Sequence, residues 1–193
     1  MVLAFYLLII STVRLFGKKS LRRISWLMAS VILLQITFIY NKHKSNKDAF
    51  IIFHKSRSSI LGFHKINQPS IHHNLDPTNI SQEKLLQNYA VENFVSKIEE
   101  ASIKDLYMIN DKPLLIVDSL GVYNVPKFKP HYILLRNSPK INLKRLIDSI
   151  HPKYIIADGS NYKSYIETWE ATCQKEKLPF HHTGKKGAFI ITD

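Results

Sequence analysis

Apolar positions form two long blocks before residue 41 and short, separated clusters after it. Val2 to Phe16 is apolar except for Ser11, Thr12 and Arg14, and Leu21 to Tyr40 is apolar except for Arg22, Arg23, Ser25, Ser30, Gln35 and Thr37. Between them lies the basic turn Gly17-Lys18-Lys19-Ser20-Leu21-Arg22-Arg23. Blocks of this length predict helices. Ile24 to Tyr40 rises roughly 25 Å, slightly short of a ~30 Å hydrocarbon core unless flanking basic side chains snorkel. The pattern predicts a transmembrane helical hairpin over residues 1–40, a basic linker over 41–48 and a soluble domain over 49–193. A secretory signal would carry its charge ahead of the apolar run and end at small residues, and Phe38-Ile39-Tyr40-Asn41 is a poor cleavage site. A buried soluble hairpin is the remaining alternative.

The domain reads as α/β. Ala49 to His54 and Ser59 to Ile66 are Ile- and Phe-rich and separated by Lys-Ser-Arg-Ser, which predicts a β-hairpin. Pro69, Pro77 and several Asn make residues 67–80 a loop, after which Asn79 or Ser81 caps a helix carrying Leu85, Leu86, Tyr89, Phe94, Val95 and Ile98. Strands follow at Asp105 to Ile109, Leu114 to Asp118 and Tyr132 to Leu135. Leu143, Leu146, Ile147 and Ile150 recur at helical spacing, opposite Lys144, Arg145 and Asp148. Tyr154 to Ala157 is a buried strand. Asp158-Gly159-Ser160-Asn161 is a turn with a cap, and Tyr162, Tyr165, Ile166, Trp169 and Cys173 are the inner stripe of the next helix. Pro179 to Thr183 and Gly187 to Thr192 close with two more strands. Strands alternating with helices imply a sheet covered by helices.

Charge changes this picture in two ways. The chain has a net charge of +12, and only five of its 27 Lys and Arg precede residue 41, so the rest keeps +7 against all 15 acidic residues. That field favours anionic partners. Four basic residues in the turn between the helices predict a cytoplasmic turn and an extracytoplasmic domain, although Lys42, Lys44 and Lys47 pull the other way. A first helix that starts at Met1 with almost no flank is the arrangement expected for the tail of something larger.

Candidate chemistry is sparse. Hydrolytic metal sites bring histidines and carboxylates together, as in His-x-His-x-Asp-His or His-Glu-x-x-His, and neither occurs. Adjacent residues on a strand point to opposite faces, so each of the pairs His72-His73 and His181-His182 supplies at most one ligand to any one site. Cys173 stands alone, which excludes an intrachain disulfide and a cysteine metal knuckle. There is no phosphate loop and no Gly-x-Ser-x-Gly elbow. The expectation is no enzyme, no metal and no cofactor. Lys127, Lys129, Arg136, Lys140, Lys144 and Arg145, with His131 nearby and Tyr123, Phe128 and Tyr132 interleaved, are the candidate DNA-binding residues. A solvated helix face and an ordinary loop explain the same residues equally well.

The two apolar spans, the segment Phe50-Ile51-Ile52-Phe53-His54-Lys55-Ser56-Arg57, the run Pro152 to Tyr162, and the ending Pro179-Phe180-His181-His182-Thr183 to Gly187-Ala188-Phe189 carry a likeness. Together they resemble the carboxyl-terminal part of ComEC-family competence proteins, most closely the short Bacteroidetes-type members. The resemblance covers nearly the whole chain, most strongly residues 150–191. It implies DNA uptake through the inner membrane and a metallo-β-lactamase-like domain outside the cytoplasm. Against that pattern, His54-Lys55-Ser56-Arg57 stands where the family has a turn like Asp-Val-Gly-Gln-Gly-Asp. Arg136-Asn137 stands where it has paired histidines, and its main metal motif has no counterpart. The channel helices and the amino-terminal OB-like domain of the family are missing.

The expected protein is thus two transmembrane helices plus an α/β (α+β) domain resembling a degenerate, metal-free metallo-β-lactamase-like fold. Its expected role is a membrane component of DNA uptake whose non-catalytic outer domain binds or guides DNA. Its expected partners are the bilayer, DNA and a separate competence channel or other membrane chains. The alternative is a structural membrane module or truncated fragment with no independent activity.

Overall fold

A computed structural model describes residues 2–17, 20–45, 48–64, 69–75, 83–92, 99–123 and 129–192. They fall into two compact units that divide between Asn46 and Lys47.

The first unit is a helical hairpin of α1 (Val2–Gly17) and α2 (Leu21–Ser45). The Ser11 and Ser30 hydroxyls share a 2.9 Å hydrogen bond between the helices, and Arg23 donates to the Arg14 carbonyl at 3.0 Å. Outside that seam the surface is apolar, with Trp26, Met28, Ile32, Ile36 and Ile39 all exposed. Leu21–Tyr40 is 20 residues with a mean hydropathy of 1.5, or about 30 Å of helix, enough by length and composition to cross a membrane. The apolar run of α1, Val2–Arg14, is shorter, so among the described residues one candidate span stands where two were expected. α2 continues to Ser45, so the backbone of the first part of the stretch read as a linker is helical.

The second unit is a mixed α/β domain. Its elements are β1 (Ala49–Lys55), β2 (Ser58–His64), β3 (Ser70–His73), α3 (Lys84–Glu92), β4 (Glu99–Ala101), β5 (Leu106–Ile109), β6 (Lys112–Val117) and β7 (Tyr132–Leu135). α4 (Leu143–Ile150), β8 (Tyr154–Ala157), α5 (Lys163–Lys175), β9 (Phe180–His182), α6 (Thr183–Lys186) and β10 (Phe189–Thr192) complete it. One sheet has the order β10-β1-β2-β3-β4, the other β5-β6-β7-β8-β9. In the second, β6 to β9 run parallel, and α4 and α5 return the chain from β7 to β8 and from β8 to β9 across the same face.

Three cores stack these parts into helix, sheet, sheet, helix. Leu143, Leu146 and Ile150 of α4 and Ile166, Trp169 and Cys173 of α5 pack on Val117, Ile133, Leu135, Ile155 and Ala157. The alternate residues Leu114, Ile116, Leu134 and Ile156 face Phe50, Ile52 and Leu61 of the other sheet. Phe53, Ile60 and Ile71, on its far side, receive Leu86 and Tyr89 of α3. Period-two alternation in strands buried on both faces produces this layering.

Several expectations change in detail. β3 lies within the stretch read as a loop, where Ser70 to Phe63 pairing outweighs the nearby Pro69. Thr183, read as the end of a strand, instead begins the short helix α6. The proposed caps Asn79 and Ser81, and the helix positions Phe94, Val95 and Ile98, lie outside the described residues. Asn161 does not cap α5, whose N-cap is Tyr162 with no side-chain bond.

Candidate functional site

The carboxyl ends of β7 and β8 converge with the β1–β2 turn and the end of β9. Outward from Leu134 and Ile156, the alternation directs Arg136 and Asp158 into the space between the sheets. Ser59, on the same face of β2 as Leu61, meets them there.

Asp158 is fully buried. Ser59 Oγ donates to its Oδ2 at 2.5 Å, and Ser160 donates to Oδ1 through both Oγ at 2.5 Å and its backbone N–H at 3.0 Å. Burial pushes the Asp158 carboxyl above its ordinary range, while the Ser160 and Ser59 bonds and the Arg136 guanidinium pull it down. With both oxygens taken by internal donors, Asp158 holds the turn rather than presenting a free base.

The loops after β7 and β8 interlock. Asn137 and Ser138 both have φ of 54°, a left-handed backbone uncommon for non-glycine residues. It is held because Ser160 Oγ accepts the Asn137 N–H and Asn161 Oδ1 accepts the Ser138 N–H, each at 2.8 Å, and Ser138 Oγ accepts the Tyr162 N–H at 2.7 Å. Asn161 Nδ2 donates to the Leu135 carbonyl at 2.6 Å. The β1–β2 turn docks on the same place: Arg57 N–H donates to the Gly159 carbonyl at 2.8 Å. A Cβ at Gly159 would lie 2.8 Å from the Lys55 carbonyl carbon, so only glycine fits.

Two imidazoles border this cluster. His54 Nδ1 shares a 3.1 Å hydrogen bond with Thr183 Oγ1, and His182 lies close to His54 around Gly184. Burial, then Lys185, push the His182 imidazole below its ordinary range, and its buried Nδ1 has no partner among the described residues. Among the described residues no group of three or more His, Cys, Asp or Glu could hold a metal ion. Among the described residues the cluster brings together one carboxylate with an internal donor on each oxygen, a nearby guanidinium and two histidines.

The sequence-predicted basic residues do not form one patch. Lys129 precedes β7 and Arg136 follows it, so they lie at opposite ends of the strand. Arg136 is half-buried near Asp158, and its buried Nε has no partner among the described residues, so its charge is directed inward. Lys140 is exposed after β7, Arg145 is exposed on α4, and Lys144 pairs with Glu176 at 3.0 Å. Lys127 lies outside the described residues. Sequence reasoning missed Ser59 and Ser138 and took Ser160 only as part of a capped turn, since these hydroxyls carry no motif.

A family model, the ComEC C-terminal domain, matches residues 50–193. The chain belongs to the ComEC family. No curated protein and no solved structure matches it. ComEC membership ties the chain to DNA uptake in competence and to a membrane-associated family, in keeping with the apolar helix Leu21–Tyr40. The matched residues begin at the first strand and take in both sheets, so the interlocked loops belong to the ComEC domain itself.

Proposed function

We propose that this chain is an inner-membrane component of DNA uptake, anchored by α1 and α2 as a transmembrane hairpin. Its domain stands on the extracytoplasmic side and binds or guides DNA without cutting it. The four-layer domain is, in this reading, a metallo-β-lactamase-like fold that has given up its metal centre. The observation that supports the non-catalytic reading is the fully buried Asp158 carboxylate, each oxygen of which already accepts from an internal hydroxyl, Ser59 or Ser160. The net charge of +12 supports DNA as the partner. The exposed apolar face of α2 suits lipid or the helices of a separate channel.

The test is incubation of the purified full chain with end-labelled DNA, with and without Zn²⁺ or Mn²⁺, across a salt series. The expected result is retention that weakens with salt and DNA recovered intact. Metal-dependent cleavage, or stoichiometric zinc in the purified protein, would overturn the non-catalytic reading.

A structural membrane module without affinity for DNA is the second reading. It is favoured by the ion pairs Lys144–Glu176 and Lys185–Glu170, which neutralise part of the basic surface. Absence of any salt-dependent DNA retention in the same experiment would select it.

A further inference from the structure

The amino ends of the parallel strands carry a second set of cations, on the opposite edge of the sheet from the Asp158 cluster. Register places Pro113, His131 and Lys153 side by side, one step before the paired Leu114, Tyr132 and Tyr154. Backbone bonds fix that row: the His131 N–H donates to the Pro113 carbonyl at 2.8 Å, and the Lys153 N–H to the His131 carbonyl at 3.0 Å. Lys112 and Lys129 flank it, and neighbouring strands are ~4.8 Å apart, so these cations crowd a short stretch of one edge.

Lys112, Lys129 and Lys153 are exposed. Lys55, Lys144, Lys163 and Lys185 each meet a carboxylate, whereas among the described residues Lys112, Lys129 and Lys153 form no ion pair. Asp111, in the neighbouring turn, is the nearest acid in sequence. The His131 imidazole registers the local field: burial, then Lys112, then Lys153, push it below its ordinary range, with no acid opposing them. Aromatic rings lie directly behind. His131 and Tyr132 are 4.7 Å apart, and the half-buried Tyr154 and Phe189 are 5.1 Å apart.

We infer that this edge, built on Lys112, Lys129, His131 and Lys153, is where the domain holds the phosphodiester backbone of single-stranded DNA. Unpaired ammoniums neutralise phosphates, and the partly exposed rings of Tyr154 and Phe189 offer faces for bases. The inference rests on the DNA-handling reading above and keeps Lys129 and His131 of the basic sequence run while replacing its other members with Lys112 and Lys153.

The experiment uses the full chain in neutral-lipid nanodiscs and a short single-stranded oligothymidine, with binding measured across a salt series. Replacing Lys112, Lys129 and Lys153 together by Gln is expected to weaken binding about tenfold or more and to reduce the salt slope by about 2. Replacing the same three by Arg is expected to preserve both. A control with Lys140, Lys144 and Arg145 all changed to Gln is expected to stay within about twofold of the unmodified chain. An unaffected edge variant, or a control that loses as much, overturns the assignment while leaving DNA binding standing. No binding by the unmodified chain overturns the DNA reading itself. Loss of binding to phosphatidylglycerol vesicles with unchanged DNA affinity assigns the edge to a membrane surface instead.

Discussion

Ser59 and Asp158, 99 positions apart in the chain, are joined by a 2.5 Å hydrogen bond that pins the β1–β2 hairpin to the end of β8. Both residues are fully buried, so the Ser59 hydroxyl and the Asp158 Oδ2 rely on each other as partners. Changing Asp158 to Ala strands the Ser59 hydroxyl and leaves Arg136 without its facing charge. The expected loss is about 3 kcal/mol of unfolding free energy, measured by urea denaturation. A change below about 0.5 kcal/mol would show the bond to be incidental.

The same carboxylate gives a pH signature. Burial holds the folded-state pKa of Asp158 above the ordinary 3.8. In the window above that value the unfolded chain has released a proton that the folded chain keeps. The group's contribution to stability is therefore full at low pH and lost as pH rises through the folded value. Relative to Asp158→Asn, which cannot titrate, the unmodified chain is expected to lose stability as pH rises from about 4. The opposite slope in paired urea titrations would contradict this assignment.

Gly159 lets the hairpin turn approach. A Cβ there would lie 2.9 Å from His54 Cε1 as well as against the Lys55 carbonyl. Gly159→Ala is expected to lower stability by about 2 kcal/mol and to break the Arg57–Gly159 bond, seen as faster amide exchange at Arg57. Leu146, fully buried between α4 and the sheet, is a plain core position, and Leu146→Ala is expected to cost about 3 kcal/mol without altering exchange at Arg57.

The helical hairpin can be checked separately. Ser11 and Ser30 face each other at 2.9 Å, so Ser11→Cys with Ser30→Cys is expected to form a disulfide in membranes under mild oxidation. Cys173 does not interfere, because it is buried and its thiol is pushed up to about 12. Failure to cross-link would mean that α1 and α2 pack on other faces.

Sequence patterning located most of the elements around the site but not its linkages. Tyr132–Leu135, Leu143–Ile150 and Tyr154–Ala157 are legible because buried strands and amphipathic helices leave local periodicity. Asn142 caps α4 through its side chain, but Asn161, a cap by the same sequence logic, instead turns toward Leu135 and Ser138. That choice depends on a neighbouring loop 23 to 26 residues away. Arg136 is legible in the sequence as a cation, but its approach to Asp158 follows only from the strand alternation running on from Leu134. The short strands β3 and β4 pair with each other in parallel, a contact that no local signal encodes.

The proposed role is participation in DNA uptake without cleavage of DNA. The most direct measurement is transformation frequency in a naturally transformable bacterium carrying the gene, before and after deletion. It should fall on deletion. It should be restored equally by the unmodified chain and by a His54→Ala, His182→Ala double variant, since neither imidazole is asked to do chemistry. Unchanged transformation after deletion would contradict the role in uptake, and failure of the double variant alone, with its fold intact, would contradict the absence of catalysis.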